Sequence, residues 1–121
     1  MAFVPLLGAL RAVVVPSNLS VEYGAAIVDT PLPRFSWQLQ SADRAVVQRS
    51  FEIRVAAENG TLLWSSGVVE GAQQLHVEYA GAPLEGDRTY NWSVCVWTAS
   101  AAASAERSAF VHATFGTAFF D

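Results

Sequence analysis

The sequence predicts an all-β protein, a two-sheet antiparallel sandwich of about seven short strands, on three observations. From Tyr90 to Trp97 the residues alternate, placing Tyr90, Trp92, Val94 and Val96 on one side and Asn91, Ser93, Cys95 and Trp97 on the other. Arg34 to Leu39 repeats that period with Phe35, Trp37 and Leu39 together. Gly, Pro and Asn-Gly turns separate such segments at near-regular spacing, and no segment of comparable strength has helical spacing.

A first strand is expected around Asn18 to Tyr23, with Leu19, Val21 and Tyr23 on one face and Pro16 and Gly24 delimiting it. Asp29 to Pro33 reads as a connector, because proline has no N–H to give a ladder and holds the backbone extended. It delivers the chain into a strand over Arg34 to Gln40, followed by a polar turn at Ser41 to Arg44. From about Val47 to Ala57, Phe51, Ile53, Val55 and Ala57 face inward and Glu52 and Arg54 outward. Asn59-Gly60 then turns the chain into Leu62 to Ser66, since both residues accept positive φ, so the two strands pair antiparallel. Gly67 and Gly71 bracket a short connection.

Gln74 to Tyr79 is expected as a strand with Leu75, Val77 and Tyr79 on one side and His76 and Glu78 on the other. Gly81 to Asp87 turns into the Tyr90 strand. Ala99 to Ser108 is rich in Ala and Ser without a bulky apolar stripe, so it reads as a surface loop with at most a turn of helix. A last strand runs from about Ala109 to Phe115. Such a series predicts Greek-key connections of the immunoglobulin type.

At 121 residues the chain is one domain, large enough to bury about two-thirds of its unfolded surface without metal or disulfide support. Residues 1–15 read as an N-terminal extension and 16–121 as the sandwich. Hydrophobic residues make up 52% and charged residues only 15%, against roughly 25% in typical globular chains, so the surface is poor in charge and suited to cover by a neighbour. With a net charge of −4 and seven basic residues spread as singletons, no positive stripe follows a phosphate backbone, which excludes nucleic acid as a partner.

Met1 to Val15 is apolar, but it lacks a basic start and Arg11 interrupts it; it reads neither as a secretory signal nor as a bilayer span, and no membrane partner is expected. Cys95 is the single cysteine, which rules out an internal disulfide and favours a cytoplasmic setting. In a strand beside aromatics it reads as a buried small hydrophobe. Sequons occur at Asn18, Asn59 and Asn91; turn chemistry at Asn59 and a strand position at Asn91 account for them without glycosylation.

Trp37 in the second strand, and Tyr90 opening the sixth after a Leu84-containing turn, are similar to the fibronectin type III-like sandwiches, where such a Tyr hydrogen-bonds back to the upstream turn. The likeness goes further. Pro33-Arg34-Phe35-Ser36-Trp37, Gln48 to Ala57, Leu63 to Val69, Val77 to Leu84, Tyr90 to Trp97 and Ala113 to Thr117 follow in an order that resembles the N-terminal β-sandwich domain of bacterial-type α-L-rhamnosidases, a large inverting glycoside hydrolase family. The resemblance covers Pro16 to Asp121. In that family the domain precedes further β domains and a helical barrel whose acid and base stand roughly 6.5 to 9.5 Å apart. No part of such a barrel is present in this sequence, so the resemblance implies a non-catalytic accessory module whose partners are the other domains of a rhamnosidase. Two stretches depart from the family pattern, Thr98 to Ala101 and Glu106-Arg107-Ser108, which implies a differently shaped loop.

The carboxylates, among them Asp29, Asp87, Glu52, Glu58 and Glu85, sit at turns or on outward strand faces, where a solvated charge needs no function, and no catalytic pair is expected. His76 and His112 lie on different strands, no Cys/His spacing recurs and the Asp residues form no Ca²⁺ loop, so no metal or other cofactor is expected. Neither a Gly-x-Ser-x-Gly turn nor a phosphate-cradling Gly pattern occurs.

Sugars stack on exposed aromatic faces, and Trp64, Trp97, Tyr23 and Tyr79 offer such rings, whereas Trp37, Trp92 and Phe51 are core. Packing against a neighbouring domain is the first reading of Trp64 and Trp97, with sugar stacking the second, and Phe115, Phe119 and Phe120 fit the same interface. The candidate interface or sugar-stacking residues are therefore Trp64, Trp97, Phe119 and Phe120. A carbohydrate-binding module, with carbohydrate as partner, and an independent fibronectin III-like interaction module are the alternative functions.

Overall fold

Alternation along Tyr90 to Trp97 commits Tyr90, Trp92, Val94 and Val96 to one face of a strand. In the computed structural model, which describes residues 14–40, 46–100 and 103–120, that strand is the middle of a sheet. The expected turn at Ser41 to Arg44 lies outside the described residues.

The described strands, in chain order, are β1 (Val15–Val21), β2 (Ile27–Val28), β3 (Arg34–Gln40), β4 (Val47–Ala57), β5 (Leu62–Ser65), β6 (Val69–Glu70), β7 (Val77–Glu78), β8 (Thr89–Ser100), β9 (Ala103–Arg107) and β10 (Val111–Thr117). They form two sheets, one ordered β1-β3-β7 and the other β2-β10-β8-β4-β5, with β6 also on β4 and β9 also on β8. All pairings are antiparallel except the short β2–β10 contact. The architecture is the expected immunoglobulin-like sandwich, with more strands than the sequence pattern announced.

The core lies where the inner faces meet. Phe35 of the small sheet packs on Trp92 of the large one at 4.6 Å between ring centroids, and Trp37 on Phe51 at 5.2 Å. Tyr90 stacks on Phe115 at 5.7 Å. Phe51, Ile53 and Val55 are buried as the alternation of β4 requires, and Trp37 is sealed between the layers. Its indole N–H donates to Gln48 Oε1 at 3.0 Å, while Gln48 Nε2 donates to the carbonyls of Gly71 (3.1 Å) and Gln73 (2.9 Å). A buried amide thus satisfies a buried indole and two loop carbonyls at once. The expected tyrosine corner is present: the Tyr90 hydroxyl accepts from the Glu85 N–H at 2.9 Å.

Several expectations are corrected. Tyr23 does not share the face of Val21; Glu22 takes a left-handed φ of 56°, the strand ends, and Tyr23 is 81% exposed. Pro16 lies inside β1, opposite Leu39, which an edge strand tolerates because its outer side needs no donor. The Gln74 to Tyr79 strand shrinks to β7, because His76 has a φ of 53°, and Leu75 faces solvent. Gly67 to Gly71 contains β6, and the Ala99 to Ser108 loop is instead the end of β8 plus β9. At the Asn59-Gly60 turn positive φ falls on Gly60 alone, while Asn59 Oδ1 accepts from the Thr61 N–H at 2.9 Å.

β5 and β6 lie end to end along one edge of β4, and β9 and β10 end to end along the outer edge of β8. Each break is closed by a serine. Ser66 N–H donates to Ile53 O and its hydroxyl accepts from Ile53 N–H; Ser108 does the same with Val96, at 2.8 and 3.0 Å. The hydroxyl stands in for the ladder carbonyl that the break turns away.

Candidate functional site

The four aromatic candidates do not converge. Trp64, opposite Val55 on the inner face of edge strand β5, is half-buried and meets Tyr79 edge-on at 5.0 Å. Gly81 closes over this pair: a Cβ there would stand 2.6 Å from the Tyr79 hydroxyl and 2.9 Å from the Trp64 Cβ. Trp97 lies on the opposite face of the large sheet, half-buried, opposite Ser50 and Arg107. Phe119, 81% exposed, and the half-buried Phe120 follow β10 at the end where β8 begins. Phe115, by contrast, is a core residue.

The described grooves are built from other residues. One, of about 640 Å³, opens at the Tyr90 end of the sandwich, floored by Tyr79, Leu84 and Tyr90 and rimmed by Glu58, Glu85 and Arg88. The Arg88 guanidinium is 3.3 Å from the Glu85 carboxylate. A second, of about 660 Å³, lies on the outer face of the large sheet over a floor of small side chains including Ala56 and Ser93. Arg54, Asn91, Phe110 and His112 border it. Arg54 lies 4.3 Å over the Phe110 ring while its Nε donates to Glu52 at 3.0 Å, so its plane is set from two sides.

Burial pushes the Tyr79 phenol up, with Tyr90 adding to it, and pushes the Cys95 thiol up, with Glu52 opposite it a second cause. Cys95 is fully buried and protonated at neutral pH, the inert small hydrophobe expected of it. Hydrogen bonds from Arg34 hold the Glu22 carboxyl below its ordinary 4.5. Among the described residues no group of His, Cys, Asp and Glu is placed to hold a metal, and no helix is long and apolar enough to cross a membrane.

A glycosidase needs two carboxylates facing across a sugar. The described carboxylates are instead spread: Glu22 is held by Arg34, Glu52 by Arg54 and Ser65, and Glu85 by Arg88. What the geometry offers among the described residues is a sandwich with these two surface grooves and a smaller polar depression beside the first. Sequence reasoning missed both grooves, since the end groove joins residues from two turns and from β4, β5 and β8, and the outer groove residues from β4, β5, β8 and β10. The outward alternation of Arg54, Asn91 and Ser93 was the signal available for the outer groove.

Residues 16–120 match the family described as Rha78A-like, N-terminal immunoglobulin domain. The chain belongs to that family. This rhamnosidase-type domain is 38% identical over 81 residues to an α-L-rhamnosidase of Streptomyces avermitilis, covering 64% of the chain and 8% of the relative. Against an α-L-rhamnosidase of Formosa agariphila it is 30% identical over 70 residues, covering 54% and 8%. Its fold matches the crystal structure of the Streptomyces avermitilis α-L-rhamnosidase complexed with L-rhamnose, with a TM-score of 0.68 and 34% identity over 85% of this chain and 10% of that one. The α-L-rhamnosidase of Dictyoglumus thermophilum gives a TM-score of 0.75 at 28% identity, over 88% and 12%. The domain thus spans about a tenth of the length of the rhamnosidases it matches.

Proposed function

We propose that this chain is the non-catalytic accessory domain of an α-L-rhamnosidase, packing against the enzyme's other domains and positioning them. The observation that carries the reading is that a fold complete in its own core matches only 8 to 12% of enzymes bearing that activity. Its buried residues are spent on the sandwich, and Glu22, Glu52 and Glu85 are each held by an arginine, which favours a supply of shape and rigidity over acid and base. The isolated chain is expected to give no turnover of an aryl rhamnoside. Deleting the matching segment from the Streptomyces avermitilis enzyme is expected to lower that enzyme's melting temperature; an unchanged melting curve and activity would refute a positioning role.

The outer-face groove favours a second reading, carbohydrate binding. It combines an aromatic ring with Arg54, Asn91 and His112 over a floor of small side chains, a mix of apolar surface and directed polar groups suited to a sugar. Titration of the chain with rhamnose and a methyl rhamnoside, followed by amide chemical shifts, tests it. Saturable shifts at Arg54, Asn91 and Phe110 that vanish in Phe110→Ala support sugar binding, and unmoved resonances reject it.

A further inference from the structure

We infer that the end groove over Tyr79, Leu84 and Tyr90 is the surface on which the next domain of a rhamnosidase docks, with an apolar side chain in the groove and basic residues against its rim. The inference rests on the accessory-domain reading and adds the contact surface to it.

Position is the first argument. The 85–88 turn lines the groove on one side and packs on residues 117–120 on the other: Asp87 N–H donates to Thr117 O (3.1 Å) and Ala118 O (3.0 Å), and a Cβ on Gly86 would meet Ala118 O at 2.7 Å and Phe120 N at 2.8 Å. Polypeptide continuing past position 120 therefore starts beside this groove, and tethering gives it a high local concentration there.

Rigidity is the second. The 82–88 segment is pinned from three sides: the Tyr79 hydroxyl donates to Ala82 O at 2.6 Å, Glu85 N–H donates to the Tyr90 hydroxyl at 2.9 Å, and the Thr117 hydroxyl donates to Glu85 O at 2.6 Å. A preformed surface loses little conformational freedom when a partner settles on it.

Chemistry is the third. Leu63 is 44% exposed in the groove wall, and Phe119, 81% exposed, lies outside the groove lining on the far side of the 85–88 turn, where a Cβ on Gly86 would stand 3.3 Å from the Phe119 Cα. Around the rim and the adjoining depression stand Glu58, Glu85 and Asp87 against Arg88, an acidic balance that a basic partner surface complements.

The test replaces the matching segment of the Streptomyces avermitilis α-L-rhamnosidase with this chain and compares amide hydrogen exchange in the chimera and in the isolated chain. Residues 58–61, 85–89 and 118–120 are expected to exchange at least tenfold more slowly in the chimera. Phe119→Asp, alone or with Leu63→Asp, should abolish that protection without altering exchange in the isolated chain; Phe119→Asp alone suffices if the double variant misfolds. Protection confined to another face, around Trp97 or Arg54, overturns the docking end and leaves the positioning role standing. Protection of the end groove in the isolated chain that grows with its concentration identifies a second copy as occupant and also overturns the inference. A chimera no more stable than the segment-deleted enzyme, with no protected face, overturns both.

Discussion

The paired strands β4 and β8 and the strands along their edges satisfy their backbones in different ways. Between β4 and β8 the ladder runs from Val47↔Ala99 to Ala57↔Tyr90 with one irregularity; the alternating Phe51, Ile53 and Val55 of β4 are buried, and in β8 every residue from Trp92 to Val96 is buried, Ser93 and Cys95 on the outer face included. At the edges the ladder is cut, and side chains replace backbone partners. The same clip appears at three places: Ser66 on Ile53, Ser108 on Val96, and Glu22 on Arg34, whose N–H donates to the Glu22 carboxylate at 2.8 Å while Glu22 N–H donates to Arg34 O at 2.8 Å. Gln48 does comparable work for the 71–73 loop. The contrast teaches that hydrophobic pattern holds the centre, whereas the outline depends on single polar groups.

Substitutions sharpen this contrast in descending order. Ile53→Ala, at a fully buried central position, should cost about 4 kcal/mol by denaturant unfolding and raise hydrogen exchange throughout both sheets. Gln48→Leu leaves the Trp37 indole N–H and two loop carbonyls without their partner; it should cost about 2 kcal/mol, with faster exchange concentrated at 71–76. If that exchange rises everywhere alike, the division into centre and edge is wrong.

Ser108→Ala should cost about 1 kcal/mol and Ser66→Ala about half that, because Ser108 is buried and water can replace the half-exposed Ser66 hydroxyl. Equal losses would show that burial does not set the strength of the clip.

The third clip is the one that titrates. Because the folded carboxyl of Glu22 sits below 4.5, its contribution is present above the unfolded value and is lost as pH falls through the folded one. Melting temperature should therefore drop on the acid side of pH 4.5, and the drop should be shallower in Glu22→Gln than in the parent chain. Ser66→Ala and Ser108→Ala should leave that acid limb unchanged.

Much of the centre was legible in the residues. Phe35 and Trp37, Phe51 to Val55, and Tyr90 to Val96 each bury the face their alternation announced, and the Tyr90 corner follows from a Tyr placed after the Leu84 turn. The edges were not. Leu75 keeps the alternation of a strand, yet the left-handed turn at His76 leaves it in solvent, 64% exposed; the Ala-rich stretch after Trp97 has little β propensity, yet β8 supplies the partner that makes β9 a strand. The candidate surfaces were legible only in part. Phe119 is exposed and lies outside the lining of the end groove, Trp64 is engaged by Tyr79 and Gly81, and the groove-lining residues Leu63, Arg88 and Phe110 carry no local mark.

By itself the sequence determined the class of fold, the inward faces of the long strands and the family, because side-chain alternation, turn residues and ordered motifs are local properties of a chain. Only the tertiary structure decided where strands stop, which aromatics stay free and where the grooves open. Those depend on partners distant in sequence, such as Gln48 with Gly71 and Gln73 or Glu85 with Thr117, which meet only once the two sheets have closed.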